Sequence, residues 1–216
     1  MSWETERMRR LINTLGDAFE WYKPRDCTCV GITTPGFESR NCPYCKGTGV
    51  IWVKQEASGL RVLVQNQVPL QQRNQSGWVY ADQVLATFMP DDVELAMGDK
   101  LVLLDKPMEF HERAQRGSGA EDELQMKPVY AIAEAARDTT LYLPTIDYTL
   151  NADRTGIAWV TGHGPSAGQI YSARYKFLPA YIAYQDQPHL RAAGLPRTMK
   201  LQFASKGVDQ LGSGTA

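Results

Sequence analysis

The sequence predicts a mainly β protein, a sandwich or barrel of short antiparallel strands with an N-terminal amphipathic helix and a small cysteine-rich module. Three observations predict this fold class. Short runs of β-branched and aromatic residues recur at close spacing after residue 50, with Gly- and Pro-rich turns between them. Helical spacing of apolar residues occurs only near the N-terminus, and all four cysteines of the 216-residue chain lie between residues 27 and 45.

The N-terminal segment, residues 1–22, is predicted to be a helix. Ser2 is placed to cap its first turn, and Pro24 ends it because the residue before a proline avoids helical backbone. We expect its apolar stripe to pack on the protein's own domain, with docking on a neighbouring subunit as the alternative. The stripe consists of Trp3, Met8, Leu11, Ile12, Leu15 and Phe19.

Composition and charge restrict the classes of function. The formal net charge is −1 and no block of like charge occurs, so there is no basic excess that would indicate nucleic-acid binding. No apolar run approaches the ~18 residues of a membrane span. The charged residues spread through positions 1–22 indicate that this segment is not a secretory signal peptide. We therefore expect synthesis in a reducing cytosol, where stable disulfides are rare.

The cysteines form two close pairs, one Cys-x-Cys and one Cys-Pro-Tyr-Cys. Four soft ligands in two pairs predict a tetrahedral structural Zn²⁺ site, although the sequence does not distinguish zinc from iron. Four thiolates leave no position open for water, so we expect the site to stabilise the fold and not to catalyse. Two disulfides, which the reducing compartment disfavours, and four free thiols are the alternatives. The predicted ligands are Cys27, Cys29, Cys42 and Cys45.

The second cysteine pair continues into a glycine-rich run. Residues 42–49 resemble a single Cys-x-x-Cys-x-Gly-x-Gly element from the zinc domain of J-domain chaperones. Gly47 and Gly49 let the backbone curl so that N–H groups can point at sulfur. This resemblance implies a zinc knuckle and, because the element occurs once, no chaperone. We expect the zinc-binding module to span residues 23–50.

Residues 51–208 are predicted to form the β-sandwich or barrel domain. Residues 113–127 are predicted to be a flexible polar loop within it because Gly117-Ser118-Gly119 disfavours regular structure, and residues 209–216 to be a disordered tail. The predicted strands are 50–54, 60–65, 77–80, 84–88, 100–105, 110–112, 129–134, 141–143, 148–150, 157–159, 170–175, 181–184 and 198–204.

No catalytic motif is recognisable in the sequence, so we expect a protein that is not an enzyme. Residues 162–168 are predicted to be a hairpin turn, because phosphate binding would need a following helix and a strand follows instead. The acidic groups at 91–92 and 121–123 are predicted to be solvated. A hydrolase with an unrecognised site is the weakest alternative, and its candidate residues are His111, His163 and His189.

The segment from Thr145 to Tyr175 resembles tailed-bacteriophage virion proteins. In those proteins an Asp-Tyr-Thr-Leu strand leads to an Ile-x-Trp strand, and a Pro-x-x-Gly turn then leads to a Tyr-x-Val-x-Tyr strand. The resemblance continues through residues 181–184 and 194–197, covers about a third of the chain and describes a β-meander. The matching residues are Asp147-Tyr148-Thr149-Leu150, Ile157-Ala158-Trp159, Pro165 to Gly168 and Tyr171 to Tyr175.

This resemblance implies a structural component of a tailed phage particle, assembled in the host cytoplasm. Its implied position is the neck that joins head to tail, as a connector or stopper-like protein, with a baseplate or tail position as the alternative. The implied partners are further copies in a ring and neighbouring virion proteins (portal, connector or tail proteins), with no membrane. Passing contact with packaged DNA would fall to basic positions at Arg61, Arg73, Arg174, Lys176, Arg191, Arg197 and Lys200.

A nucleic-acid-binding protein is the alternative from a different class. In that interpretation the zinc knuckle itself contacts the nucleic acid through Arg40, Tyr44 and Lys46. A salt-dependent affinity for DNA would then be expected of the isolated protein.

Overall fold

The computed structural model describes residues 3–30, 42–45, 49–56, 61–66, 72–74, 77–79, 83–89, 94–187 and 196–204. The predicted Ser2 cap and the predicted tail at 209–216 lie outside them. Within the described residues the chain forms one helix, α1 (Trp3–Leu15), and sixteen strands: β1 (Asp17–Asp26), β2 (Val50–Gln55), β3 (Arg61–Asn66), β4 (Gln72–Asn74), β5 (Gly77–Val79), β6 (Gln83–Phe88), β7 (Lys100–Leu103), β8 (Met108–Gln115), β9 (Glu121–Glu123), β10 (Val129–Arg137), β11 (Thr140–Tyr142), β12 (Tyr148–Leu150), β13 (Gly156–Trp159), β14 (Ile170–Phe177), β15 (Ala180–Gln187) and β16 (Arg197–Phe203).

The predicted fold class, mainly β with an N-terminal helix, is confirmed. The chain divides into two compact units, Met1–Asp105 with Ala180–Ala216, and Lys106–Pro179. The sequence predicts one β domain over residues 51–208, whereas the chain leaves the first unit after Asp105 and returns to it at Ala180. Strand pairing joins residues far apart in the chain, and local patterns do not report it.

The first unit is built around a closed six-stranded antiparallel barrel. Its strands follow the order β1-β3-β6-β16-β15-β7, and β7 pairs back with β1. Closure gives each barrel strand two neighbours, so the barrel has no free edge. Strand β2 lies outside this ring and pairs with the second half of β1 as a hairpin.

The interior of the barrel is filled by apolar side chains from its strands. Along β1 burial alternates, so that Phe19 and Trp21 point inward. The indole N–H of Trp21 donates to the buried Asp99 carboxylate at 2.8 Å, and burial raises the pKa of that carboxyl. Each fully buried large side chain contributes about 1.5–3 kcal/mol. The core consists of Phe19, Trp21, Val62, Val84, Ala86, Phe88, Leu95, Leu101, Leu103, Tyr181, Ala183, Met199 and Leu201.

Helix α1 ends at Leu15, so the prediction of a helix to residue 22 is wrong. The Gly16 N–H donates to the Ile12 carbonyl at 2.8 Å, and a Cβ at Gly16 would lie 2.4 Å from that oxygen. From Asp17 onward the chain pairs with barrel strands on both edges. This pairing overrides the helical spacing that Phe19 shares with Leu15.

The predicted apolar stripe of α1 does not pack on the barrel as one surface. Ile12 is buried, whereas Trp3 is 74% exposed and Leu15 is 61% exposed. Phe19 belongs to β1 and not to the helix. The expectation that the stripe is covered by the protein's own domain is therefore wrong for its outer residues.

The second unit contains two antiparallel sheets, one in the order β11-β10-β14-β8 and one in the order β12-β13-β9. The alternation predicted for residues 170–175 is confirmed. Tyr171, Ala173 and Tyr175 are buried on one side of β14, and Ile170 and Arg174 are exposed on the other.

The prediction of a flexible loop at 113–127 is wrong, because this segment contains regular structure. Strand β8 continues to Gln115, and β9 pairs with β13. Asp122 at the centre of β9 is only 5% exposed. Its burial also contradicts the prediction of a solvated acidic group at 121–123.

Four donors satisfy the buried Asp122 carboxylate. Oδ1 accepts from Arg116 Nη1 at 3.1 Å and from the Gly117 N–H at 2.8 Å. Oδ2 accepts from the Trp159 indole N–H at 2.8 Å and from the Tyr171 hydroxyl at 3.1 Å. A buried carboxylate with four donors orders the segment despite its glycines, because leaving such a group unpaired would be costly.

Candidate metal centre and exposed surfaces

The four cysteines lie in the loop of the β1–β2 hairpin. The hairpin's last cross-strand pair is Asp26 with Val50. The Cys27 N–H, which follows directly, donates to the Gly49 carbonyl at 2.7 Å. Gly49 has φ +75°, in the left-handed region that favours glycine. The hairpin thereby joins the two ends of the loop that carries the site.

The four sulfur atoms form one cluster, with all of them within 4.8 Å of one another. Cys27 Sγ lies 3.6 Å from Cys42 Sγ, and Cys29 Sγ lies 3.3 Å from Cys45 Sγ. Four sulfurs placed about 2.3 Å from one metal ion would be about 3.8 Å apart. A disulfide needs about 2.05 Å, so these are free thiols. The cluster fits a metal ion such as zinc.

The surroundings of Cys42 favour its thiolate. Cys27, Cys42 and Cys45 are buried, and Cys29 is half-buried. Backbone N–H groups of Cys45, chiefly, and of Tyr44 lower the pKa of the Cys42 thiol, and the thiols of Cys29 and Cys27 act in the same direction. The thiolate is the form that binds metal.

The sequence predicts N–H groups near sulfur but attributes them to the backbone around Gly47 and Gly49. The N–H donors to Cys42 that the structure describes belong to the Cys-Pro-Tyr-Cys turn itself. Gly47 lies outside the described residues. Four cysteine ligands would complete a tetrahedral shell, so the geometry suits a structural ion.

The other predicted site residues are dispersed. Tyr44 is 66% exposed beside the cysteine cluster, and Arg40 and Lys46 lie outside the described residues. His111 Nε2 is 2.7 Å from Ser172 Oγ, and His163 Nδ1 is 2.7 Å from Asp147 Oδ1. The structure does not describe the side chains of the remaining candidates, which are His189, Asp91, Asp92, Arg73 and Arg191.

Two of the basic positions considered for DNA contact bond within their own unit. Arg61 donates to the Gly16 carbonyl at 2.6 Å. Arg174 pairs with Glu134 at 3.0 Å and lies 3.7 Å from Glu109. Paired arginines are less available to a phosphate backbone than free ones.

The second unit also presents an exposed apolar surface that sequence reasoning missed. We name it the β11–β12 patch, and its exposed fractions run from 38% to 55%. In the sequence these residues look like ordinary strand and turn positions, and no spacing distinguishes them from core residues. The patch consists of Leu141, Leu143, Ile146 and Val160.

Asp147 holds this patch in shape. Its Oδ2 accepts the Leu143 N–H at 2.7 Å, and its own N–H donates to the Leu143 carbonyl at 2.9 Å. Its carbonyl accepts the Val160 N–H at 2.9 Å. The Leu143 N–H, followed by His163, lowers the pKa of the Asp147 carboxyl. The backbone of this turn is therefore fixed by the hydrogen bonds of Asp147.

No protein-family model matches the chain, and no curated protein is significantly similar to it. In the part of the chain that the structure describes, no helix has the length and apolar character that a membrane span requires.

Proposed function

We propose that this protein is a non-enzymatic structural component of a tailed phage particle, assembling as a ring in the neck between head and tail. The carrying observation is that apolar side chains are exposed on the outer face of α1 in the first unit and at the β11–β12 patch in the second. Soluble monomers rarely leave large apolar patches uncovered, and such patches mark contacts between proteins. The phage context rests on the resemblance of residues 145–175 to virion proteins.

Rigid bodies suit such an assembly role. The barrel has no free edge and a continuous apolar core. In the second unit, Trp159 contacts the rings of Tyr142, Tyr148 and Tyr171 edge to face, with centroids 5.2–5.7 Å apart.

In this proposal the metal at the cysteine cluster is zinc, and its role is structural. The segment between Asp26 and Val50 has 23 residues, and a segment of this size cannot bury a core of its own. A zinc ion held by four thiolates stabilises such a segment because metal binding and folding are coupled.

Electron microscopy of the purified protein tests the assembly directly. We expect closed rings with cyclic symmetry at micromolar concentration. Only monomers across a wide range of protein and salt concentration would contradict the proposal. A control preparation with Met97, which is exposed and belongs to neither surface, changed to Ala should form the same rings.

Nucleic-acid binding is the second candidate function, and one observation favours it. Tyr44, between ligands Cys42 and Cys45, is 66% exposed, and Arg25 near the same loop is exposed. An exposed aromatic ring is a platform on which a nucleic-acid base can stack.

A single-stranded oligonucleotide binding assay tests this candidate. Tyr44→Ala should weaken binding by about 5- to 150-fold if the base stacks there, since one stacked base contributes about 1–3 kcal/mol. The matched control is Tyr130→Ala, which removes a tyrosine that is 49% exposed in the second unit. Equal effects of the two variants, or no salt-dependent binding, would exclude this candidate.

A further inference from the structure

The sulfur atoms of the cysteine cluster approach each other across the loop that carries them. Cys27 Sγ lies 3.6 Å from Cys42 Sγ, and Cys29 Sγ lies 3.3 Å from Cys45 Sγ. These two pairs join the start of the loop to its end, over 15 and 16 positions of the chain. A disulfide bond is about 2.05 Å long, so the second pair has to close by about 1.2 Å to form one. The arrangement that can hold a metal ion therefore also places two pairs of thiols for oxidation.

The four cysteines differ in their access to solvent. Cys29 is half-buried, whereas the other three are between 0% and 7% exposed. An oxidant dissolved in water therefore reaches Cys29 first. A cysteine that has been oxidised to the sulfenic acid condenses with a neighbouring thiol, and the Cys45 sulfur is 3.3 Å away. The more exposed sulfur thus reacts first, and its buried neighbour completes the bond.

We propose that the cysteine cluster is a redox-sensitive zinc site, in which hydrogen peroxide converts Cys29 and Cys45 from zinc ligands into a disulfide. This inference rests on the zinc assignment of the proposed function and adds regulation to it. Structural zinc sites use four ligands, so the loss of two thiolates releases the ion. A second peroxide joins Cys27 to Cys42 in the same way.

The reaction consumes one peroxide for each disulfide. The Cys29 thiolate attacks one peroxide oxygen, which breaks the O–O bond, gives the sulfenic acid and releases hydroxide. The Cys45 thiolate then attacks the Cys29 sulfur, forms the S–S bond and expels a second hydroxide. Each hydroxide takes up a proton and becomes water. The two sulfurs together lose two electrons, and the peroxide gains them.

The change is confined to the loop between β1 and β2. The hairpin is paired up to Asp26 and Val50, and the Cys27 N–H donates to the Gly49 carbonyl. These backbone hydrogen bonds involve no sulfur and no metal. A disulfide between Cys29 and Cys45 links the two ends of the loop, as the zinc ion does. We therefore expect the barrel to stay folded in both states.

The two states suit the two surroundings of the proposed particle. In a reducing cytosol the thiols persist and bind zinc, whereas disulfides persist on the surfaces of released virions. The same four cysteines therefore hold the loop closed during assembly and after release.

Peroxide titration of the full-length, zinc-loaded protein tests the proposal. Zinc release is followed with a coloured chelator, and disulfides are mapped by mass spectrometry of peptides. We expect one zinc ion released for each chain, the Cys29–Cys45 disulfide formed first, and zinc bound again after treatment with a thiol reductant. Retention of zinc, a different first disulfide, or oxidation of Cys29 that the reductant does not reverse would each overturn the proposal.

The zinc assignment and the redox step fail in different ways. A reduced protein that binds no zinc would overturn the assignment made in the proposed function, and the redox-sensitive zinc site with it. A protein that binds zinc and keeps it under peroxide would overturn the redox step alone.

Two single variants test the part assigned to Cys29. Cys27→Ser retains the pair that contains the half-buried sulfur, and Cys29→Ser retains only the buried pair. At equal peroxide concentration Cys29→Ser should form its disulfide at least about tenfold more slowly than Cys27→Ser. The variants are matched because each loses one zinc ligand, so general loosening of the loop affects both. Equal rates, with both variants folded by circular dichroism, would overturn the role of Cys29. If either variant is unfolded, the disulfide map of the unaltered protein decides.

Discussion

Replacement of Asp122 by Asn is the sharpest test of how the second unit is held together. The carboxylate accepts four hydrogen bonds, two at each oxygen. An amide has one oxygen, so in either orientation its NH₂ group faces two donors and loses both bonds. The change also removes the charge that pairs with Arg116, whose side chain is only 12% exposed.

The magnitude follows from these contacts. Hydrogen bonds to a charged group contribute about 1.5–3 kcal/mol each, and breaking a buried ion pair costs about 3–5 kcal/mol. These effects overlap, so we expect Asp122→Asn to lower the free energy of unfolding by about 3–5 kcal/mol. The matched control is Glu123→Gln on the same strand. The Glu123 side chain is 60% exposed and its pair with Lys127 contributes about 0–1 kcal/mol.

Urea denaturation followed by circular dichroism measures both variants. Trp159 is the single tryptophan between residues 106 and 179, and its indole N–H donates to Asp122. The NMR signal of that N–H therefore reports the second unit directly, and it should shift or broaden in Asp122→Asn alone. A loss below about 1 kcal/mol, or equal losses in the two variants, would refute this reasoning.

Three further predictions concern other parts of the chain. Cys45→Ser should lower the free energy of unfolding by several kcal/mol because metal binding is coupled to folding; a chelator should lower the melting temperature of the unaltered protein but not of the variant. Gly164→Ala should cost about 1–3 kcal/mol more than Gly168→Ala by urea denaturation. Both glycines have positive φ, but only a Cβ at Gly164 would meet the Trp159 ring, at 2.3 Å. Burial raises the pKa of Tyr181 to about 12. The stability that follows from this shift is complete below pH ~10 and is lost as pH rises through ~12. The free energy of unfolding should therefore fall less steeply with pH over this range in Tyr181→Phe than in the unaltered protein.

Much of the β structure could be predicted because alternation is a local property. The run from Ile170 to Tyr175 shows every second side chain apolar, and β14 follows that pattern. The closure of the barrel could not be predicted. It depends on the pairing of β1 with β7, residues about eighty positions apart, and no short-range pattern specifies that register.

The end of α1 shows how two patterns can compete within one segment. Leu11, Leu15 and Phe19 have helical spacing, but Phe19 and Trp21 also have strand spacing. Gly16 was the available signal, since glycine commonly ends helices. The barrel decides between the two patterns because Phe19 and Trp21 fill its core.

The candidate metal site was predictable and the exposed surfaces were not. Cysteine pairs carry their chemistry in the residue type, so Cys27 and Cys45 could be assigned together without knowledge of the fold. An apolar residue carries no such information about whether it is covered. Leu143 and Ile146 are exposed at a turn whose backbone is hydrogen-bonded to Asp147.

Native mass spectrometry of the purified protein, with its metal content determined in the same sample, tests the proposed function most directly. We expect a ring of several copies with one zinc ion for each chain, and loss of zinc on treatment with a chelator. A metal-free monomer that melts at the same temperature with and without chelator would contradict both the ring and the zinc site.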